Sequence, residues 1–82
     1  MEKQFLIIVI DKRKKEAVKV QQILTEWGCL VKTRLGIHEG VLDDCTETGT
    51  IFLELAGEQE KLNELHRKLN LLAGVNAKLV TV

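Results

Sequence analysis

Residues 4–10, QFLIIVI, are the stretch of sequence that decides the fold. β-Branched and aromatic side chains favour a strand, and here apolar residues stand on both sides of the strand alternation. We therefore expect a central strand of a sheet. The apolar run itself, residues 5–10, is far shorter than the roughly 20 residues that a membrane-spanning helix needs.

An amphipathic helix is expected directly after this strand. Asp11 can accept hydrogen bonds from the first free N–H groups of a helix. Apolar residues then follow at spacings of three and four, as on one face of a helix: Ala17, Val20, Ile23, Leu24 and Trp27. Gly28 is expected to end the helix in the left-handed conformation.

The rest of the chain predicts three further strands and a second helix. Residues 30–38 alternate, with Val31, Thr33, Leu35 and Ile37 on one side, as on a strand near a sheet edge. Residues 50–55 predict the third strand and residues 75–82 the fourth. Between them, Gly57 opens a helix and Gly74 ends it, and its buried stripe is Leu62, Leu65, Leu69 and Leu72.

This order, βαββαβ, predicts an α+β fold: a ferredoxin-like two-layer sandwich with a four-stranded antiparallel sheet and two helices on one face. We expect residues 1–82 to form a single domain. Right-handed crossovers place strand 3 between strands 1 and 2. The hairpin between strands 2 and 3 then shares one end of the molecule with the start of helix 1, while Cys29 lies at the other end.

The composition excludes several classes of function. Twelve basic and twelve acidic residues give a formal net charge of zero, which argues against a nucleic-acid or polybasic membrane module. The N-terminal residues lack the order of a signal peptide, and the two cysteines, far apart in sequence, suit a reducing compartment. We expect a cytoplasmic protein.

The predicted hairpin offers one candidate metal site. Imidazole and thiolate groups suit nickel or zinc, and the hairpin combines them with carboxylates: His38, Glu39, Asp43, Asp44 and Cys45. One His and one Cys form half a site, which a second subunit could complete. The alternative is a solvent-exposed polar hairpin with a free thiol.

A basic run opens the first helix at Lys12, Arg13, Lys14 and Lys15. The helix dipole disfavours cations at this position. One interpretation is a site for an anionic effector or an acidic protein partner. The other is a solvated basic patch that the hairpin carboxylates neutralise in part.

Self-association is expected because the two helices can cover only one face of the sheet. We assign to the uncovered face the apolar residues Leu6, Ile8, Ile10, Phe52, Val80 and Val82. A patch of this kind is unusual on a monomer, so we expect a homodimer or tetramer.

No nucleophile elbow, phosphate-binding glycine loop or zinc-protease motif is present, and we expect a protein that is not an enzyme.

Three stretches of the sequence resemble the family of putative iron-only hydrogenase system regulators: RLGIHEG at 34–40, GTIFLELAGE at 49–58 and LAGVNAKLV at 72–80. That family is similar in fold to ACT regulatory domains and to the C-terminal domain of the nickel-responsive repressor. The resemblance implies an oligomeric regulatory module that senses a small ligand or a metal. The H-x-H element of the nickel domain is absent, because Gly36 precedes Ile37.

Overall fold

The computed structural model describes residues 2–11, 14–38 and 49–82, with the side chains of 14–16, 37 and 38 left undescribed. Their elements follow the predicted order: β1 (Gln4–Ile10), α1 (Lys14–Glu26), β2 (Val31–His38), β3 (Gly49–Leu55), α2 (Gln59–Asn70) and β4 (Val75–Thr81). The four strands form one sheet in the order β2-β3-β1-β4 with antiparallel neighbours. The ferredoxin-like sandwich is confirmed.

The core lies between one face of the sheet and the two helices. Its centre consists of apolar side chains with less than 2% exposure: Leu6, Ile8, Val20, Leu53, Leu62, Leu65 and Leu69. Three of these come from α2 at a spacing of three and four residues, so that they occupy one face of the helix. Leu72, the predicted fourth member of this stripe, lies beyond the end of α2 and is only partly buried.

The assignment of Leu6, Ile8 and Ile10 to the uncovered face was wrong. These side chains are 0%, 0% and 5% exposed and lie beneath the helices. The register explains this, because Leu6 pairs with Leu53 in β3 and with Leu79 in β4, and directly paired residues share a face. The odd-numbered residues of β1 therefore line the uncovered face.

Two local expectations were also wrong. Gly28 does not adopt a left-handed conformation: it begins a short 3₁₀ turn, Gly28–Leu30, that connects α1 to β2. The alternation of β2 is interrupted as well, because the register shifts between Val31 and Thr33. Such a bulge sets two residues against one. Val31 therefore faces the helices, whereas Thr33 and Leu35 face away from them.

Gly74 is the glycine whose conformation the turn before β4 requires. Its φ of 72° lies in the left-handed region, which a residue without Cβ adopts readily. The turn brings the carbonyl of Gly74 within 2.7 Å of the Asp11 amide nitrogen.

No helix in the described residues is long and apolar enough to cross a membrane.

We predict that Leu65→Ala destabilises the fold by about 2–5 kcal/mol, because it removes a fully buried side chain and leaves a cavity. Urea unfolding followed by circular dichroism measures the change. Leu71→Ala is the matched control, since Leu71 is 68% exposed, and its effect should stay within about 0.5 kcal/mol. Equal losses of stability in the two variants would contradict this account of the core.

Candidate functional site

One end of the sheet brings together the segments for which a ligand site was predicted. Ile10 pairs with Gly49 in β3 and with Val75 in β4. His38, the last residue of β2, pairs with the same Gly49. The base of the hairpin therefore lies at the end of the molecule where β1 leads into α1, as predicted.

The predicted ligand-binding side chains at this end mostly fall outside the described residues. Lys12, Arg13, Glu39, Asp43, Asp44 and Cys45 lie outside them entirely. Lys14, Lys15 and His38 are described only through their backbone, as the first residues of α1 and the last of β2. The metal and anion sites at this hairpin end therefore stay predictions.

Within ranges 2–11, 14–38 and 49–82, no three His, Cys, Asp or Glu side chains are grouped as metal ligands. Cys29 is exposed in the 3₁₀ turn. This turn lies at the end opposite the hairpin, where the Ala56 amide donates to the Leu30 carbonyl at 2.8 Å.

The described residues leave the sheet face opposite the helices, called here the open face, without a covering layer. Its centre is apolar: Phe5 and Ile7 of β1 are partly buried, and Phe52 of β3 is 38% exposed. Val9 (42%) and Leu35 (57%) continue it toward the hairpin end and toward β2. Aromatic and branched side chains of this size, exposed together, mark an interaction surface.

Val80 and Val82, two of the residues predicted for the uncovered face, do belong to the open face. Phe5 pairs with Val80, and Val82 exchanges two backbone hydrogen bonds with Lys3. Phe52 was also placed correctly, since it pairs with Ile7. The open face therefore runs from β2 across to the end of β4.

Charges of both signs surround this apolar centre. Lys32 Nζ lies 3.8 Å from a carboxylate oxygen of Glu54, and Lys78 pairs with Ile7 on the β4 side. A further ion pair, between Glu64 and Arg67, lies on α2 and is separate from this surface. The hydrogen bond from Arg67 lowers the pKa of the exposed Glu64 carboxyl.

Sequence reasoning missed Phe5, Ile7, Val9 and Leu35 as open-face residues. The signal for the first three is the alternation of β4, where the polar Asn76 and Lys78 separate apolar residues. Pairing β1 with β4 in register would have placed the odd residues of β1 beside these polar side chains. The position of Leu35 on the open face depends on the bulge in β2, and no turn or glycine in the sequence indicates this bulge.

A cavity of about 300 Å³ lies at the end opposite the hairpin, between the start of β1 and the start of α2. It is lined by Lys3, Lys32, Glu54, Gly57 and Leu62, among others. Lysines and carboxylates occur together in its wall, and two of them, Lys32 and Glu54, already pair with each other. The charges that line the cavity therefore do not favour binding of an anion over binding of a cation.

Comparison with known sequences identifies no relative. No protein-family profile matches the chain, and no curated protein matches it.

Solved structures, in contrast, resemble the chain over its whole length. An uncharacterized protein from Thermotoga maritima is 25% identical, with a TM-score of 0.84, and the match covers 100% of this chain and 99% of that one. The ACT domain of GTP pyrophosphokinase from Chlorobium tepidum is 16% identical, with a TM-score of 0.67 and coverage of 98% and 97%. The chain shares the ferredoxin-like fold of ACT and PII-like domains.

A PII-like example is the protein CPII from Thiomonas intermedia K12, whose structure is bound to ADP, AMP and acetate. It is 14% identical to this chain, with a TM-score of 0.55 and coverage of 99% of this chain and 86% of its own.

We predict that Ile7→Lys and Ile8→Lys have opposite outcomes, although the two residues are neighbours. Ile8 is 0% exposed, and a buried unpaired charge should unfold the chain. Ile7 lies on the open face beside Lys78, so its lysine can reach water and the fold should persist. Far-UV circular dichroism and urea unfolding measure both. Loss of the fold in Ile7→Lys, with Ile8→Lys still folded, would reverse the assignment of the faces.

Proposed function

We propose that this chain is a non-enzymatic regulatory module that self-associates through its open face and binds a small effector or a metal at its hairpin end. The observation that carries the proposal is the apolar centre of the open face, formed by Phe5, Ile7 and Phe52. The covered face already supplies the core, so stability of the single domain does not require these side chains. Burying them in an interface is what stabilises an assembly.

A second copy of the chain is the partner that the open face fits best. The formal net charge is zero, so two copies meet without net repulsion. The face carries Glu54 together with Lys32 and Lys78, so a two-fold axis can bring opposite charges together around an apolar centre. Such a surface is self-complementary in the way that an isologous interface requires.

The hairpin end is the part of this module to which we assign ligand binding. β1 is continuous between the open face and the start of α1. The basic residues 12–15 follow β1 directly, and the carboxylates of residues 39–44 follow β2. Exposed pairs between them would contribute only about 0–1 kcal/mol each. An anionic effector or an acidic protein surface gives a stronger reason for the basic run.

The resemblance to iron-only hydrogenase system regulators supports placing this module in such a system. It extends over segments 34–40, 49–58 and 72–80, which include β3 and most of β4. The alternative function is a structural module that assembles with protein partners and binds no ligand. The two titrations below, one with anions and one with metals, distinguish this alternative from the proposed function.

For the effector, we predict that an anion shifts the amide signals of residues 11–16 and 38–48 together. A nuclear magnetic resonance titration with small organic acids, ADP and AMP measures this. Rising salt should weaken the response, because screening reduces interactions between exposed charges. Shifts confined to the 3₁₀ turn Gly28–Leu30, or no shift with any of these anions, would rule out the effector site.

For the metal, we predict binding of nickel or zinc tighter than about 1 mM, or roughly −4 kcal/mol. Binding should weaken as the pH falls, because imidazole and thiol must lose protons to act as ligands. Calorimetric titration of the His38→Ala/Cys45→Ala double variant should show no binding. Cys29→Ala, at the other end of the molecule, is the matched control and should bind normally. Unchanged binding in the double variant would exclude this site.

A further inference from the structure

The start of β2 is fixed to the rest of the fold. Leu30 and Val31 are partly buried and pack against the core. The Leu30 carbonyl accepts a hydrogen bond from the Ala56 amide at 2.8 Å. The Leu30 side chain lies against Gly57, where a Cβ would come within 2.7 Å of Leu30 Cδ2. Gly57 has a φ of 141°, which favours a residue without Cβ. This end of β2 is therefore anchored to the end of β3 and to the core.

This anchoring stops at the bulge. Residues 32–36 are all exposed, so β2 sends no side chain into the core over this stretch. On the helix side, Arg34 pairs with the buried Leu53. Gly36 pairs with the buried Ile51, and a Cβ on Gly36 would meet no atom within 4 Å. Where β3 contributes to the core, β2 therefore presents a charged side chain and a bare backbone.

Two interactions hold this stretch of β2 in place. Arg34 donates a hydrogen bond to the Gln21 side chain of α1. Both residues are exposed, so water competes for this bond and its net contribution to stability is small. The second interaction is the backbone ladder with β3, in which Leu35 pairs with Phe52. β2 is the last strand of the sheet. A segment with few buried apolar contacts and an exposed backbone is of the kind that opens locally.

We infer that residues 33–38 leave β3 and return to it as a unit, with the bulge between Val31 and Thr33 as the hinge, while the rest of the fold stays intact. The unit ends at His38, where the hairpin begins. A ligand at the hairpin end binds the closed unit and holds it against β3; this second step rests on the proposed function. Leu35 belongs to the open face only while the unit is closed. Ligand binding then completes the surface through which the chain assembles.

Native-state hydrogen exchange of the unliganded protein tests the local opening, and β3 supplies a matched pair of reporters. Lys3 and Val82 exchange N–H···O bonds between β1 and β4, which fixes the alternation of bonds across the sheet. The Phe52 amide therefore points at β2, and the Leu53 amide points at β1. We expect the amides of Phe52 and Leu35 to have protection factors at least roughly tenfold lower than that of Leu53.

Low concentrations of urea distinguish a local opening from global unfolding. Exchange at Leu53 should speed up with urea, because it requires global unfolding, which exposes much surface. Exchange at Phe52 should change little, because the opening of one edge strand exposes little surface. Repeating the measurement in Ile7→Lys, whose open face is disrupted, removes the protection that assembly gives. Equal protection factors for the two amides, or an equal response to urea, would overturn the inference.

Arg34→Ala tests the bond that holds the unit to α1. Without the hydrogen bond to Gln21, exchange at Phe52 should speed up by roughly two- to tenfold. Arg67→Ala is the matched control, because it removes an exposed pair with Glu64 on α2, the helix that packs against β4. This control should leave exchange at Phe52 unchanged. Equal effects of the two variants would contradict the role of Arg34.

Gly36→Val tests the lack of a core anchor in the unit. The valine has room on the helix side, next to Ile51, and a β-branched residue favours a strand. It should therefore slow exchange at Phe52 by roughly fivefold or more. An exchange rate at Phe52 that stays the same or rises, in a variant whose circular dichroism shows the native fold, would contradict this account of Gly36.

Nickel and ADP, added separately, test the closing of the unit by a ligand. Where a probe binds, exchange at Phe52 should slow by about tenfold at a free concentration about ten times the dissociation constant, because the ligand binds the closed unit and not the open one. A probe that binds at the hairpin end without slowing exchange at Phe52 would overturn the coupling and leave the proposed ligand site in place. Binding of neither probe would remove the proposed ligand site and the coupling with it, whereas the unliganded protein alone decides the local opening.

Discussion

The structure depends on a sheet that is apolar on both faces but covered by helices on only one. β1 supplies Leu6 and Ile8 to the core and Phe5 and Ile7 to the open face. The register with β3 and β4 fixes this division, because a shift by one residue would exchange the two sets of side chains. Folding of the single chain therefore leaves an apolar surface exposed, and in the proposed function the molecule assembles through this surface.

The same strand connects this surface to the hairpin end. Val9 lies on the open face and pairs with Thr50, one residue from the base of the hairpin. Asp11 follows β1 and donates a backbone hydrogen bond to Gly74 in the turn before β4. A ligand held at the hairpin end would bind beside elements that continue directly into the interface. In the proposed function, this continuity links ligand binding to assembly.

The element order and the core of α2 were predictable from the sequence because they rest on local periodicity. Leu62, Leu65 and Leu69 recur with helical spacing, and the strands read as apolar or alternating segments. The sequence did not indicate which face of β1 the helices cover, because both faces of this strand are apolar. Only the pairing of Leu6 with Leu53 and Leu79 assigns Leu6 to the covered face. The bulge between Val31 and Thr33 had no signal in the sequence, because no glycine marks its position.

The central claim is that the open face is covered by a second copy in solution. The most direct test is an isotope-filtered nuclear Overhauser measurement on a mixed sample of labelled and unlabelled protein, which detects only contacts between different chains. The account predicts intermolecular signals from the methyl groups of Ile7 and Val80 to the rings of Phe5 and Phe52. Absence of these signals, in a sample whose relaxation rates are those of an 82-residue monomer, would contradict it.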